Sequence, residues 1–166
     1  PQWVIIDCRF TLTDPEAGRR AYDTAHIPGA RYADLNRDLS SPATAATGRH
    51  PLPDVARLAA KLGEWGIDGG TQVVVYDDNF GAMAARLWWL LRWLGHDAVA
   101  LLDGGLPRWQ REKHPMTADK PVVTAKTFVA KPRDNVWVDA ATVATAVKDE
   151  KRLVIDARAE ERFNGE

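Results

Sequence analysis

Along this chain, short runs of β-branched and aliphatic residues alternate with longer stripes of helical spacing. "WVIID" (3–7) and "VVVY" (73–76) are almost uninterrupted apolar runs, as expected of strands covered on both faces. "WVIIDCRF" predicts a strand leaving into a polar loop, "VALL" (99–102) a further strand, and Arg31 to Ala33 a short one after the Pro28-Gly29 turn. In "HPLPDVARLAAKLGEWGI", leucine and alanine recur at three- and four-residue spacing from a proline-aspartate start to Gly66, which predicts a helix. Gly81 to Leu94 predicts the next helix, closed by Gly95, and a short one containing Trp109 follows Asp103-Gly104-Gly105. Strands alternating with helices predict an α/β fold: a parallel sheet with helices on both faces.

From about Lys113 to Asn135 the periodicity fades into scattered lysines and the prolines Pro115, Pro121 and Pro132, and the segment reads as a tether. Beyond it come a short extended piece, a helix opened by Asp139, and a strand from Leu153 to Asp156. "VIIDCR" (4–9) and "LVIDAR" (153–158) share one pattern: apolar run, Asp, small residue, Arg. Lying beyond the tether, the second occurrence points to a repeated domain. The expected organisation is a domain over 1–112, an inter-domain tether over 113–135, and the start of a second copy over 136–166. That copy stops just after its strand, so the sequence is expected to be a piece of a longer two-domain chain.

A formal net charge of -1 over 166 residues recruits neither nucleic acid nor an anionic membrane by bulk charge. The most apolar helix, about Ala82 to Leu94, carries Arg86 and Arg92 and is too short to span a bilayer. Trp88, Trp89 and Trp93 crowd into it and read as core or seam fillers. One cysteine, Cys8, forms no internal disulfide and fits a reducing compartment such as the cytoplasm. His50, His96 and His114 show no metal-ligand spacing with one another or with Cys8, and no metal or cofactor is expected. Gly104-Gly105 lacks the GxGxxG or P-loop lysine of a phosphate site and reads as a tight turn, which disfavours a nucleotide-binding domain.

"VIIDCR", "AHIPGA", "VVVYD", "RLWWLLRWLGH" and "LLDGGLPRW", in this order, resemble the N-terminal domain of the tandem-domain rhodanese family, the thiosulfate and 3-mercaptopyruvate sulfurtransferases. The resemblance implies a rhodanese-like parallel sheet followed by the beginning of a second copy. It also implies a sulfurtransferase that moves sulfane sulfur from a small anionic donor, thiosulfate or 3-mercaptopyruvate, to cyanide or a thiol. The carrier would be a cysteine persulfide in the second domain only, and the first domain would pack against its own C-terminal domain. At the position matching that cysteine this chain has Asp77, so no catalytic residue is expected within 1–166 and the segment alone is expected to be inactive. A non-catalytic rhodanese-like binding or regulatory module is the alternative.

A sulfur carrier must be a thiolate; a carboxylate fills the same electropositive seat at a helix N-terminus without accepting sulfur. Cys8 stands where the repeat has Ala157 and reads as a small core residue. Asp7 with Arg9, and Asp156 with Arg158, read as structural ion pairs, and His26 as a hydrogen-bonded turn residue. Asp78 adds a second acid to the loop. The resemblance makes Arg162 a candidate contact for the anionic donor, against a solvated charge. It makes Asp34 a candidate for the cleft wall, against a surface or capping acid.

Overall fold

The apolar runs of the first half form one sheet in the computed structural model, which describes residues 2–165. The chain divides into two compact units, the first ending at Arg133 and the second starting at Asp134. In the first, β1 (Trp3–Asp7), β2 (Arg31–Tyr32), β3 (Gln72–Tyr76) and β4 (Val99–Leu101) are all parallel, in the order β2-β1-β3-β4. The winding reverses between β1 and β3, and open α/β sheets place their sites outside the carboxyl ends of such a pair. Trp3 to Asp7 lie opposite Gln72 to Tyr76, so Asp7 and Tyr76 end their strands side by side.

Alternate strand residues face opposite sides. Val4, Ile6, Val73, Val75 and Val99 pack against Leu58 and Leu62 of α2 (Val55–Glu64) and Leu87, Leu90 and Leu91 of α3 (Ala84–Trp93). On the other face, Leu106 and Trp109 of α4 (Gly105–Arg111) pack with Tyr76, Ile5, Ile27 and Ala30. α2 starts later than its prolines suggest because Asp54 is its cap, its carboxylate accepting the Arg57 N–H at 2.8 Å. α1 (Ala17–Thr24) has no apolar stripe to announce it; it buries only Gly18 and Tyr22. It lies so close to the loop after β1 that a Cβ at Gly18 would sit 1.9 Å from the Arg9 carbonyl oxygen.

The segment expected to be a tether is packed onto the first unit up to Arg133. It runs extended as a strap, and its missing periodicity is replaced by long-range partners. Thr117 exchanges two backbone hydrogen bonds with His26 (2.8 and 2.9 Å), Lys126 donates to the Gly63 carbonyl (2.9 Å), and Lys131 to that of Leu94 (2.9 Å). Phe128 is buried in the α2–α3 core. Lys126 also pairs with Asp68 at 2.7 Å, and Arg133 with Asp97 at 2.6 Å.

In the second unit, Asp139 caps α5 (Ala140–Ala146), accepting the Thr142 N–H at 2.7 Å, and α6 (Glu160–Asn164) was not anticipated. The strand expected over Leu153–Asp156 is not formed. The backbone there is irregular, with Leu153 and Ile155 exposed, because a strand exists only as one side of a ladder and no described segment pairs with it.

Replacing Phe128 with Ala should lower stability by about 3 kcal/mol in urea unfolding followed by tryptophan fluorescence, since truncating a buried aromatic leaves a cavity. The Lys126–Asp68 bond should respond to acid. The hydrogen bond from Lys126 is the main reason the Asp68 carboxyl is held down at about 2, below its ordinary 3.8. A depressed acid stabilises the fold above its unfolded pKa and stops doing so as pH falls through its folded pKa. Hydrogen exchange of the Lys126 amide should therefore accelerate, beyond its intrinsic pH dependence, as pH drops from about 4 towards about 2; an unchanged corrected rate would contradict the assignment.

Candidate functional site

Asp77 follows β3 directly and is buried, 1% exposed. Its Oδ1 accepts the backbone N–H groups of Asn79 (2.8 Å) and Gly81 (2.9 Å), and its Oδ2 those of Met83 (2.8 Å) and Ala84 (2.8 Å). A helix entrance leaves such N–H groups without intrahelical partners and carries positive partial charge. A carboxylate offers about four lone-pair sites, and here each meets a donor. This wrapping explains why α3 begins at Ala84 and not at the expected Gly81: the preceding residues turn around the carboxylate before the helix starts.

The Asp77 carbonyl is used as well, accepting the Leu106 N–H at 2.9 Å from the first turn of α4. Only glycine fits beside it. At Gly105, φ is +55° and a Cβ would lie 2.7 Å from the Asp77 oxygen. The tip of the loop points outward, with Phe80 fully exposed at φ +56°, a conformation uncommon for a bulky residue. A groove of about 510 Å³ lies beside it, lined among others by Leu101, Pro107, Arg108 and the exposed Asp78.

At the neighbouring strand end, Asp7 is wholly buried. The Arg9 guanidinium grips it through Nε (3.1 and 3.0 Å) and Nη2 (2.7 Å), and the Tyr76 hydroxyl donates to it at 2.7 Å. Arg9 Nη2 also reaches the Ala25 carbonyl at 2.7 Å, and the Ile27 N–H donates to the Tyr76 oxygen at 3.2 Å. Burial works against the Arg9 cation, yet the hydrogen bonds and charge of Asp7 hold its pKa above the ordinary value. Burial and the Asp7 charge push the Tyr76 phenol up, so it stays a donor. The ion pair read from sequence is therefore present, and Tyr76, which the sequence reading treated as a strand residue, is its third member.

Cys8 lies between these acids, buried and with its pKa raised well above the ordinary value by burial and the charges of Asp7 and Asp77. It packs within the apolar core beneath the sheet's carboxyl edge. Asp34 is buried, and its Oδ1 accepts the N–H groups of Asn36 (2.8 Å) and Arg37 (2.9 Å), capping a turn. Arg162 is exposed on α6, in the second unit. His26 is wholly buried in its turn. Arg86, unremarked beyond its charge, binds the carbonyls of Leu39, His50 and Pro51 at 3.0–3.3 Å and fixes the long loop before α2. An arginine inside an otherwise apolar stripe was the available signal.

The carboxyl edge of this sheet thus has a ring of backbone donors filled by the chain's own Asp77 carboxylate. Among the described residues, no helix is long and apolar enough to cross a membrane.

Residues 1–112 match the family described as the rhodanese-like domain. A probable 3-mercaptopyruvate sulfurtransferase of Pseudomonas aeruginosa is 48% identical over 168 residues, covering all of this chain and 59% of the relative. The thiosulfate sulfurtransferase of Cricetulus griseus is 32% identical, over 97% of this chain and 54% of the relative. Among solved structures, the 3-mercaptopyruvate sulfurtransferase SseA from Escherichia coli superimposes with a TM-score of 0.82 at 29% identity, covering 99% of this chain and 62% of that one. A 3-mercaptopyruvate sulfurtransferase from Leishmania major gives the same TM-score and identity over 98% of this chain and 44% of that one. The chain thus spans somewhat over half the length of the curated relatives it matches.

Replacing Asp77 with Ala should cost about 3 kcal/mol, because it removes the shared acceptor of four backbone N–H groups, that of Ala84 buried. Asn, which keeps one acceptor oxygen, should cost less. Equilibrium unfolding of the two variants checks the order; equal losses would show that shape rather than charge holds the loop.

Proposed function

The chain belongs to the rhodanese family, and from that premise we propose that it is the non-catalytic first domain, connecting strap and opening of the second domain of a tandem-repeat sulfurtransferase. One observation carries this reading: the Asp77 carboxylate, at the position that the resemblance matches to the family's carrier cysteine, is bonded to four backbone N–H groups. That seat suits an anion on a loop leading into a helix. In a repeat of the same design with cysteine there, the N–H groups would favour the thiolate and then hold the persulfide. The recurrence of the Asp-x-Arg pair supports a second domain of the same design: Arg158 Nη2 lies 2.6 Å from Asp156 Oδ2, as Arg9 Nη2 lies 2.7 Å from Asp7 Oδ2.

In this reading the whole protein moves sulfur in two displacements. A cysteine thiolate beyond this segment attacks the sulfane sulfur of thiosulfate, releasing sulfite, or the sulfur of 3-mercaptopyruvate, releasing pyruvate. Cyanide or a thiol then takes the sulfur from the persulfide and regenerates the thiolate. Arg162 is the proposed grip on the donor's anionic end, because a guanidinium offers a paired fork to carboxylate or sulfonate oxygens. Asp34 would contribute by holding its turn at the cleft. The first domain would pack against its own C-terminal domain and steady it. A single buried cysteine agrees with a reducing, cytoplasmic setting.

Neither this segment nor its Asp77→Cys variant should gain a sulfur atom on incubation with thiosulfate, read by intact-protein mass. The full-length protein should form thiocyanate from thiosulfate and cyanide, or pyruvate from 3-mercaptopyruvate. Rapid loading of Asp77→Cys, with the extra sulfur mapped to residue 77, would overturn the view that the first domain has lost more than its nucleophile.

A further inference from the structure

Chemistry that needs no partner molecule lies at the end of α6. The sequence there runs Arg162-Phe163-Asn164-Gly165, the one place in the chain where an asparagine is followed by glycine. The other three asparagines, Asn36, Asn79 and Asn135, are followed by Arg37, Phe80 and Val136. An asparagine side chain carries an amide carbon that the next residue's backbone nitrogen reaches through a five-membered ring. Bulk on that next residue hinders the approach, and β-branching stiffens it further. Glycine has no Cβ in the way and turns freely about its backbone.

The structure leaves this pair open. Asn164 and Gly165 are both exposed, and a Cβ built at Gly165 would meet nothing within 4 Å. What restrains the pair is one backbone bond: the Gly165 N–H closes α6 on the Glu161 carbonyl, with φ at +88°. α6 has only 5 residues, all exposed, and a helix this short holds its last turn weakly. Each opening of that turn frees the nitrogen.

We propose that Asn164-Gly165 is a self-modification site, at which the chain converts its own Asn164 to aspartate and isoaspartate and so adds a negative charge to the turn that carries Arg162. Once base has taken its proton, the Gly165 nitrogen attacks Cγ of Asn164. The N–Cγ bond forms, the Cγ–Nδ2 bond breaks, and Nδ2 leaves as ammonia with a proton returned by solvent. Water then opens the cyclic imide at either carbonyl. One opening restores the chain with aspartate; the other routes the backbone through the side chain as isoaspartate. Nothing is oxidised or reduced, and the net change is water in and ammonia out.

The product does not restore α6. An aspartate at 164 stands three and four residues after Glu161 and Glu160, the spacing at which helical side chains are neighbours, so like charges oppose one another. It also sets a carboxylate at the end where carbonyls are already unpaired. Of the nearby cations, Arg158 is held by Asp156 at 2.6 Å and lies over the Phe163 ring at 6.0 Å. Arg162 is left to meet the new charge. This last consequence rests on the donor grip proposed for Arg162; the conversion itself does not.

The test ages the full chain at about pH 7, 8 and 9 and cuts it after lysine. The fragment 152–166 holds Asn164 as its only asparagine, and mass with separation of the isomers reads it. The expected result is exchange of amide for acid at Asn164, about tenfold or more faster than at Asn36, Asn79 or Asn135, at a rate that follows hydroxide and with both isomers present. Conversion no faster than at those three, or insensitive to pH, overturns the proposal. In the full-length protein, Asn164→Asp should raise the KM for thiosulfate or 3-mercaptopyruvate about twofold to threefold, what one charge several ångström away is worth in water. Conversion with an unmoved KM would uphold the site and remove Arg162 from the donor.

Discussion

The working edge of the sheet depends on how one negative charge is kept out of water. Removing a carboxylate from solvent costs several kcal/mol unless hydrogen bonds replace its hydration, and charge-assisted bonds to backbone N–H are the strong kind. Asp77 receives them from the donors that a helix entrance leaves unpaired. The exchange is mutual: the N–H groups need an acceptor as much as the carboxylate needs donors. Oδ1 shapes the tip that turns Phe80 outward, Oδ2 starts α3, and the main-chain carbonyl takes the first turn of α4. One residue thereby sets three segments.

A second buried acid ends the adjacent strand, and two anions so close would repel if both relied on the same compensation. They do not. Asp7 is neutralised by a guanidinium and a phenol, Asp77 by backbone dipoles. Cys8 sits between them, and both charges, after burial itself, oppose its ionisation. The arrangement that stabilises the edge thus also keeps its thiol protonated.

How much of this could be read from sequence follows from how local each interaction is. Buried parallel strands declare themselves as apolar runs, and the Asp54 and Asp139 caps sit beside the helices they start. Asp77 was found because a strand-loop-helix boundary is a local pattern. α1 escaped notice because it shows few apolar positions and is held by the approach of Gly18 to Arg9. The strap escaped for the opposite reason: its composition is that of a linker, and its partners, Gly63, Leu94 and His26, lie far away in sequence. Asp34 was recognised as an acid of interest, yet only coordinates place its oxygen on the turn at Asn36 and Arg37. The Leu153–Asp156 run carried a strand pattern, but pattern alone supplies no partner.

The repeated Asp-x-Arg pair separates what a short sequence dictates from what packing adds. In both copies the arginine N–H donates to the aspartate Oδ1 at 2.9 Å and Nε bridges both oxygens. The first pair is buried and the second largely exposed, so burial does not create the clasp. Two residues of separation and a fork-shaped cation are sufficient. Packing adds the rest: in the first copy Tyr76 donates to the free side of the carboxylate and Ala25 takes the spare guanidinium N–H. Those two contacts tie the end of β1 to β3 and to the turn that holds His26. A clasp that is only local thereby becomes the joint between the sheet and its surrounding loops.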